Sequence, residues 1–142
     1  MPVAVMMVDV DNFTVVNDTH GHAAGDRILQ ALGSLLAGEV RTKDVVYRYG
    51  GEEFCILLRG ANVDEALRVA ERIRRSTAEL MVPVSGNVTV SVGVAIGVAA
   101  DVMRTLGQAD AALYDAKRDG RNRVVLAAAG DARHREGTPI GA

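Results

Sequence analysis

Residues Val3–Val8 are Val, Ala and Met without interruption, and the run gives way to Asp9-Val10-Asp11-Asn12. An unbroken apolar run of this length is the pattern of a strand buried on both faces. The rest of the chain must therefore supply cover above and below it. Carboxylates set at the end of such a strand are carried to the rim of a core.

The segment after this strand is rich in Asn, Asp, Gly and His and reads as a loop. Ile28, Leu29, Leu32, Leu35 and Leu36 recur at helical spacing, which predicts an amphipathic helix over Ala23–Ala37. Val45–Tyr49 and Glu52–Leu58 read as strands joined by Gly50-Gly51, a two-residue hairpin whose primed turn would use the positive φ that glycine accepts. Asn62 with Glu65 resembles a capping box, opening a second helix lined by Ala66, Leu67, Ala70, Ile73 and Leu80. Val88, Val90, Val92, Val94 and Ile96 alternate with small residues at strand period. Thr105 with Gln108 caps a third helix, with Leu106, Ala109, Leu113 and Ala116 as its stripe and Gly120 as its stop. Arg123–Leu126 is a short last strand, and residues 127–142 read as a flexible tail. The order β-α-β-β-α-β-α-β makes an α+β domain over residues 1–126. Its first six elements match the split βαβ, ferredoxin-like arrangement. There the first strand lies at the sheet's centre beside the hairpin, so Asp9 and Glu52 can approach each other.

Composition narrows the function. A net charge of -2 gives nothing overall to attract nucleic acid or an anionic membrane, and 4% aromatic residues leave few platforms for stacking single strands. One cysteine, Cys55, excludes an internal disulfide and makes a reducing cytosol the default, so a cytoplasmic domain is expected. No apolar run reaches the roughly 18 residues of a membrane span, and no signal peptide precedes the first strand.

Singly, Asp9, Asp11, Glu52 and Glu53 are ordinary solvated carboxylates. Gathered at one sheet edge, they would raise one another's pKa or recruit a cation. Hard oxygen ligands suit Mg²⁺, which completes its shell with waters and substrate phosphates. Gly50 and Gly51 at the tip let backbone come close to a ligand. His20-Gly21-His22 lacks a third ligand and reads as loop, and Cys55 as a small core residue.

"DVDNFTVVNDTHGHAAGD", then "RYGGEEF", then "ALYDAKRDGRNRV" resemble the GGDEF family, the diguanylate cyclases of bacteria, from Val3 to about Val125. Three separated motifs in order carry this resemblance, where Gly-Gly-Glu-Glu-Phe alone would be a modest signal. It implies a palm-type nucleotidyl cyclase fold and the condensation of two GTP into cyclic di-GMP with release of pyrophosphate. By resemblance, Asp9, Glu52, Glu53 and the Val10 carbonyl hold two Mg²⁺ ions, with Mn²⁺ as a substitute, and Glu52 or Glu53 assists deprotonation of the attacking 3′-hydroxyl. Asn17 and Asp26 correspond to the guanine contacts. Lys117 and Arg121 correspond to contacts with the β- and γ-phosphates, with Gly50, Gly51 and the backbone N–H groups of Asn12 and Phe13 also near the nucleotide. Arg41-Thr42-Lys43-Asp44 is an RxxD tetrad in the register of the family's product-inhibition site, with Arg72 as a further contact from a neighbouring subunit. Taken alone, RxxD is as readily a local salt bridge, and Lys117 and Asp26 are as readily complements to helix dipoles.

The chain also departs from the family. Thr14 stands where a lysine usually follows the phenylalanine, and the family's helix before the first strand is absent. That absence leads us to expect an N-terminally truncated domain that binds better than it catalyses. Two domains must face each other as a homodimer for both hydroxyls to attack, and a regulatory domain is expected in the full-length protein. The alternatives are a catalytically weak or inactive cyclic di-GMP receptor and another palm-type enzyme that uses ATP.

Overall fold

Strand β1, Pro2–Val10, runs through the middle of a five-stranded sheet in the computed structural model, which describes residues 1–82 and 86–128. Helices α1 (Phe13–His20) and α2 (His22–Glu39) follow it, then strands β2 (Val45–Arg48) and β3 (Glu53–Arg59) and helix α3 (Val63–Ala78). Strand β4 (Val90–Val98), a 3₁₀ turn, helix α4 (Val102–Arg118) and strand β5 (Val124–Leu126) complete the order. The sheet reads β2-β3-β1-β4-β5; β1 is antiparallel to both neighbours, and only the β4–β5 pair is parallel. This is the expected ferredoxin-like core with one strand added at the edge.

Both faces of β1 are buried, as its composition requires. Ala4, Met6, Val8 and Val10 join Ile28, Leu32 and Leu36 of α2 and Ile73 of α3 in the larger core. Val5 and Met7 turn the other way and meet Cys55, Ala95 and the α4 residues Ala109 and Leu113. Cys55 is a free, buried thiol within this second cluster, as expected of a small core residue.

The small residues of β4 explain how α4 packs. While Val90, Val92 and Val94 fill the larger core, Gly93 and Gly97 lie beneath α4. A Cβ on Gly93 would overlap the Ala109 carbonyl oxygen and the Leu113 amide nitrogen, and one on Gly97 would overlap Thr105. Helix backbone thus rests directly on strand backbone. That depth sets how far the last turn of α4 can reach over the sheet.

The structure corrects four local expectations. The polar segment after β1 is a helix, α1, because Phe13 is buried and Val16 packs against the larger core; tertiary anchoring outweighs weak intrinsic propensity. The connection from β2 to β3 is four residues, Tyr49–Glu52, and neither Gly50 nor Gly51 takes a positive φ. Tyr49 N–H and Gly50 N–H both donate to the Glu53 carbonyl, at 2.8 and 3.3 Å, and a Cβ on Gly50 would stand 2.8 Å from Glu53 Oε1. Gly50 therefore leaves room for a carboxylate. Thr105 lies inside α4, not at its cap, and its hydroxyl donates back to the Asp101 carbonyl at 3.3 Å. Helix α3 ends at Ala78, so Leu80 is outside it and Thr77 takes the buried position.

Other signals hold. The Asn62–Glu65 capping box is present with both reciprocal hydrogen bonds. Gly120 ends α4 with φ +132°. Ala127 still donates to the Val94 carbonyl at 2.8 Å, so the sheet contact outlasts β5 by a residue; residues 129–142 of the expected tail lie outside the described residues.

Because the neighbours of Gly93 are backbone atoms that cannot rotate away, Gly93→Ala is expected to cost about 1–3 kcal/mol or more. Gly107, in the same helix with open space around it, should gain up to about 1 kcal/mol on substitution by Ala. Urea denaturation of the two variants, read against wild type, checks the opposite signs.

Candidate active site

Register brings the acidic groups together. Asp9, near the end of β1, pairs across the ladder with Glu53 at the start of β3, and with Ser91 of β4 on its other side. Directly opposed residues share a face, so the Asp9 and Glu53 side chains lie together on the side covered by α4. The sequence pointed to Asp9 with Glu52. In the structure Glu53 is the ladder partner, and Glu52 sits one residue outside, its carbonyl accepting from Val10 N–H at 3.2 Å. Glu52 remains close enough to raise the pKa of both other carboxylates.

The counter-ion arrives from far along the chain. Lys117, in the last turn of α4, donates to Asp9 Oδ1 at 2.9 Å and stands 3.7 Å from Asp11 Oδ1. It serves as the resident cation of the acidic cluster. One ammonium does not balance the site. Burial pushes Asp9 up to about 6, with Glu52 and Asp11 adding to the rise and Lys117 opposing it. Burial likewise pushes Glu53 up to about 8, helped by Asp9, Glu52 and Asp110. Asp9 Oδ2 and Glu53 Oε2 are both enclosed without a hydrogen-bond partner.

Asp11 belongs with these acids by sequence, but the structure gives it different work. It is buried and accepts from Thr89 Oγ1 at 2.7 Å, Ser91 Oγ at 2.6 Å and the Asn122 N–H at 3.0 Å. Nothing local in the sequence announces these three donors, which come from two distant segments.

Around this centre, Asn12 adopts a left-handed conformation, φ 55°, and makes no side-chain cap, leaving the first turn of α1 without a capping acceptor. Asn17 Oδ1 is enclosed and unpartnered in a space that exists because Gly25 of α2 has no Cβ. Asp26 follows Gly25 and is exposed, so the two expected guanine contacts sit on adjacent helices. Arg121 lies just beyond α4 with φ 63° and donates its N–H to the Ala116 carbonyl at 2.9 Å. Thr14 is exposed in the first turn of α1, and His20 and His22 are exposed beyond it. Among the described residues, no three Asp, Glu, His or Cys side chains form a ready-made metal cage.

The RxxD residues form a separate cluster. Arg41 Nε donates to Asp44 Oδ2 at 2.9 Å, and its Nη2 reaches Asp44 Oδ1 at 3.3 Å and the Arg59 carbonyl at 3.1 Å. The Asp44 side chain is 0% exposed against 46% for Arg41. Burial alone would raise the Asp44 pKa, but hydrogen bonds from Arg41 and from the Arg59 N–H outweigh it and hold the carboxyl below its ordinary value. Arg41, Asp44 and Arg72 line one cavity of about 200 Å³, with Glu39 paired to Arg72 at its edge. Arg72 thus reaches this pocket within the same chain.

Comparison with known proteins now decides the family. The family model "Diguanylate cyclase, GGDEF domain" matches residues 1–123. The chain belongs to the GGDEF family. Diguanylate cyclase A of Treponema denticola is 40% identical over 131 residues, which cover 87% of this chain and 34% of that protein. The GGDEF chain thus spans about a third of the length of this curated relative. Among solved structures, the active GGEEF domain of a diguanylate cyclase from Vibrio cholerae superposes with a TM-score of 0.84 at 34% identity, covering 90% of this chain and 84% of that one. The GGDEF domain of DgcB from Caulobacter crescentus, in complex with c-di-GMP, gives 0.84 at 32% identity, covering 89% and 78%. Among the described residues of this GGDEF domain, no helix is long and apolar enough to cross a membrane.

The buried acids leave a signature in stability. Folded-state values of about 6 and 8 lie above the ordinary 3.8 and 4.5, so the fold holds these protons more tightly than the unfolded chain does. Stability of the metal-free protein should fall as pH rises through that window. Glu53→Gln, which cannot ionise, is expected to raise the melting temperature at pH 9 in the presence of a chelator, with little gain at pH 5.

Proposed function

We propose that this GGDEF domain is a diguanylate cyclase that condenses two GTP molecules into cyclic di-GMP and pyrophosphate. The observation that carries this reading is the Asp9–Glu53 ladder pair, whose enclosed, unpartnered oxygens lie beside Lys117. Two orphaned hard-oxygen donors without a complete protein cage fit a cation that takes one or two carboxylates and completes its shell with phosphates and water, as Mg²⁺ does and Mn²⁺ can. Asp9, Glu52, Glu53 and the Val10 carbonyl would hold two such ions. When bound, they supply positive charge against the triphosphate and acidify the attacking 3′-hydroxyl.

The chain's own residues do the rest. Glu52, partly open to solvent at the rim, accepts the hydroxyl proton, with Glu53 as the alternative acceptor. Lys117 exchanges Asp9 for the β- and γ-phosphates, which Arg121 also contacts. The backbone N–H groups of Asn12 and Phe13 meet phosphate oxygens, and the Gly50-Gly51 tip leaves space for them. Asn17 and Asp26 accept from the guanine edge, which adenine cannot satisfy. Two domains related by a two-fold axis each present one GTP to the other, so the rate is quadratic in enzyme at low concentration. Thr14 removes one cation from the phosphate region, which lowers turnover.

Arg41, Asp44 and Arg72 form the product-inhibition site. Their cavity of about 200 Å³ is below the roughly 300–1,000 Å³ of whole small-ligand pockets, so it takes one base of the dinucleotide. Because this pocket is separate from the Asp9–Glu53 pair, the same residues also support a second reading, a cyclic di-GMP receptor with weak or no catalysis.

Incubation with GTP and Mg²⁺, followed by chromatography, is expected to yield cyclic di-GMP, and ATP should not compete. Glu52→Gln should lower the rate by about 100-fold or more while leaving product binding intact. Arg41→Ala should weaken product binding and spare synthesis. Retained dinucleotide binding with no synthesis by wild type would select the receptor reading.

A further inference from the structure

We infer that Arg74 and Asn122 are positioning residues: their contact locks the left-handed turn that carries Arg121 past the end of α4. This rests on the proposed role of Arg121 and Lys117 as triphosphate contacts.

Arg121 and Asn122 are consecutive non-glycine residues with φ of 63° and 47°. Left-handed backbone is strained for side chains with a Cβ, although Asn tolerates it better than Arg. Two such residues in a row persist only where their surroundings over-determine them, and strain of this kind gathers at functional sites.

The surroundings here are specific. From the α4 side, Arg121 N–H is held by the Ala116 carbonyl. From the turn after β1, the buried Asp11 carboxylate takes the Asn122 N–H at 3.0 Å. From α3, Arg74 Nη1 donates to Asn122 Oδ1 at 2.9 Å. Arg74 is itself fixed, because its Nε and Nη2 both engage Glu71, at 2.7 Å each, in a two-point fork. A guanidinium gripped in this way has one edge left, and that edge meets Asn122. The contact spans 48 positions in sequence, and neither side chain touches Asp9, Glu52 or Glu53 in the structure. Asn122 instead joins Arg74 to Asp11, and Asp11 stands 3.7 Å from the Lys117 ammonium. Loss of the Arg74 contact removes the only bond to the Asn122 side chain among the described residues and leaves the turn held through its backbone groups, by Ala116, Asp11 and the Arg123 Nε that donates to the Arg121 carbonyl at 3.1 Å. Arg121 then samples conformations that do not meet phosphate, while the guanine contacts on α1 and α2 are untouched.

The test is binding of GTP and of GMP, by titration in Mg²⁺ with the full chain, to wild type, Arg74→Ala, Arg74→Lys, Asn122→Gly and Arg121→Ala. Asn122→Gly keeps the left-handed turn accessible while removing the side-chain contact, so it serves even if Arg74→Ala folds poorly. Misplacing one phosphate contact should weaken GTP binding by about 10- to 100-fold, with GMP binding as in wild type. Arg74→Lys, which lacks the fork, should not rescue it. Adding Arg74→Ala to Arg121→Ala should weaken GTP no further, because the two changes remove one interaction. GTP affinity unchanged in Arg74→Ala and Asn122→Gly, or an equal loss for GTP and GMP, overturns the inference alone. Absence of GTP binding by wild type overturns the proposed function and this inference with it.

Discussion

Strand β1 has no face to spare. Its alternating side chains are committed to two cores, one under α2 and α3 and the other under α4. A strand buried in this way can place a polar group only near its end, and there the Asp9 carboxylate still lies fully out of solvent. The rest of the site answers to that burial. Glu53 is brought opposite by the ladder, Lys117 is brought above by α4, and burial raises the pKa of both acids against the opposing pull of that one ammonium. An arrangement with this much unpaired oxygen is poorly optimised for stability on its own, as expected where a fold reserves capacity for a ligand.

Much of this was legible before the structure. The Val3–Val8 run marked the central strand because continuous apolarity has few other meanings at that length. The Asn62–Glu65 box and the Gly120 stop were legible because capping and positive φ are local physics. The failures have a common cause. Phe13–His20 looks like a loop by composition and becomes helical through the burial of Phe13, a tertiary effect. Gly50 invites a turn argument, while its actual constraint is space for the Glu53 carboxylate.

The site was legible in its members and less so in its pairing. Whether Glu52 or Glu53 faces Asp9 depends on the register between β1 and β3, which no local pattern in the sequence states. Lys117 on Asp9 spans 108 positions, and the donors to Asp11 lie 78, 80 and 111 positions away. No periodicity reports such contacts. The small residues between the valines of β4 were visible, but their purpose, letting helix backbone settle onto strand backbone, emerges only once α4 is known to lie there.

The ladder between Asp9 and Glu53 has a metric consequence. Opposed residues on antiparallel strands hold their Cβ atoms about 4.5–5.5 Å apart whatever the connecting loop does. The separation of the two acids is therefore inherited from the pitch of the sheet, and the fold acts as a ruler for whatever charge sits between them. A slip of one residue would bring Phe54 or Glu52 opposite Asp9 and turn every apolar side chain of β3 inside out. The same force that keeps oil from water thus keeps the gauge.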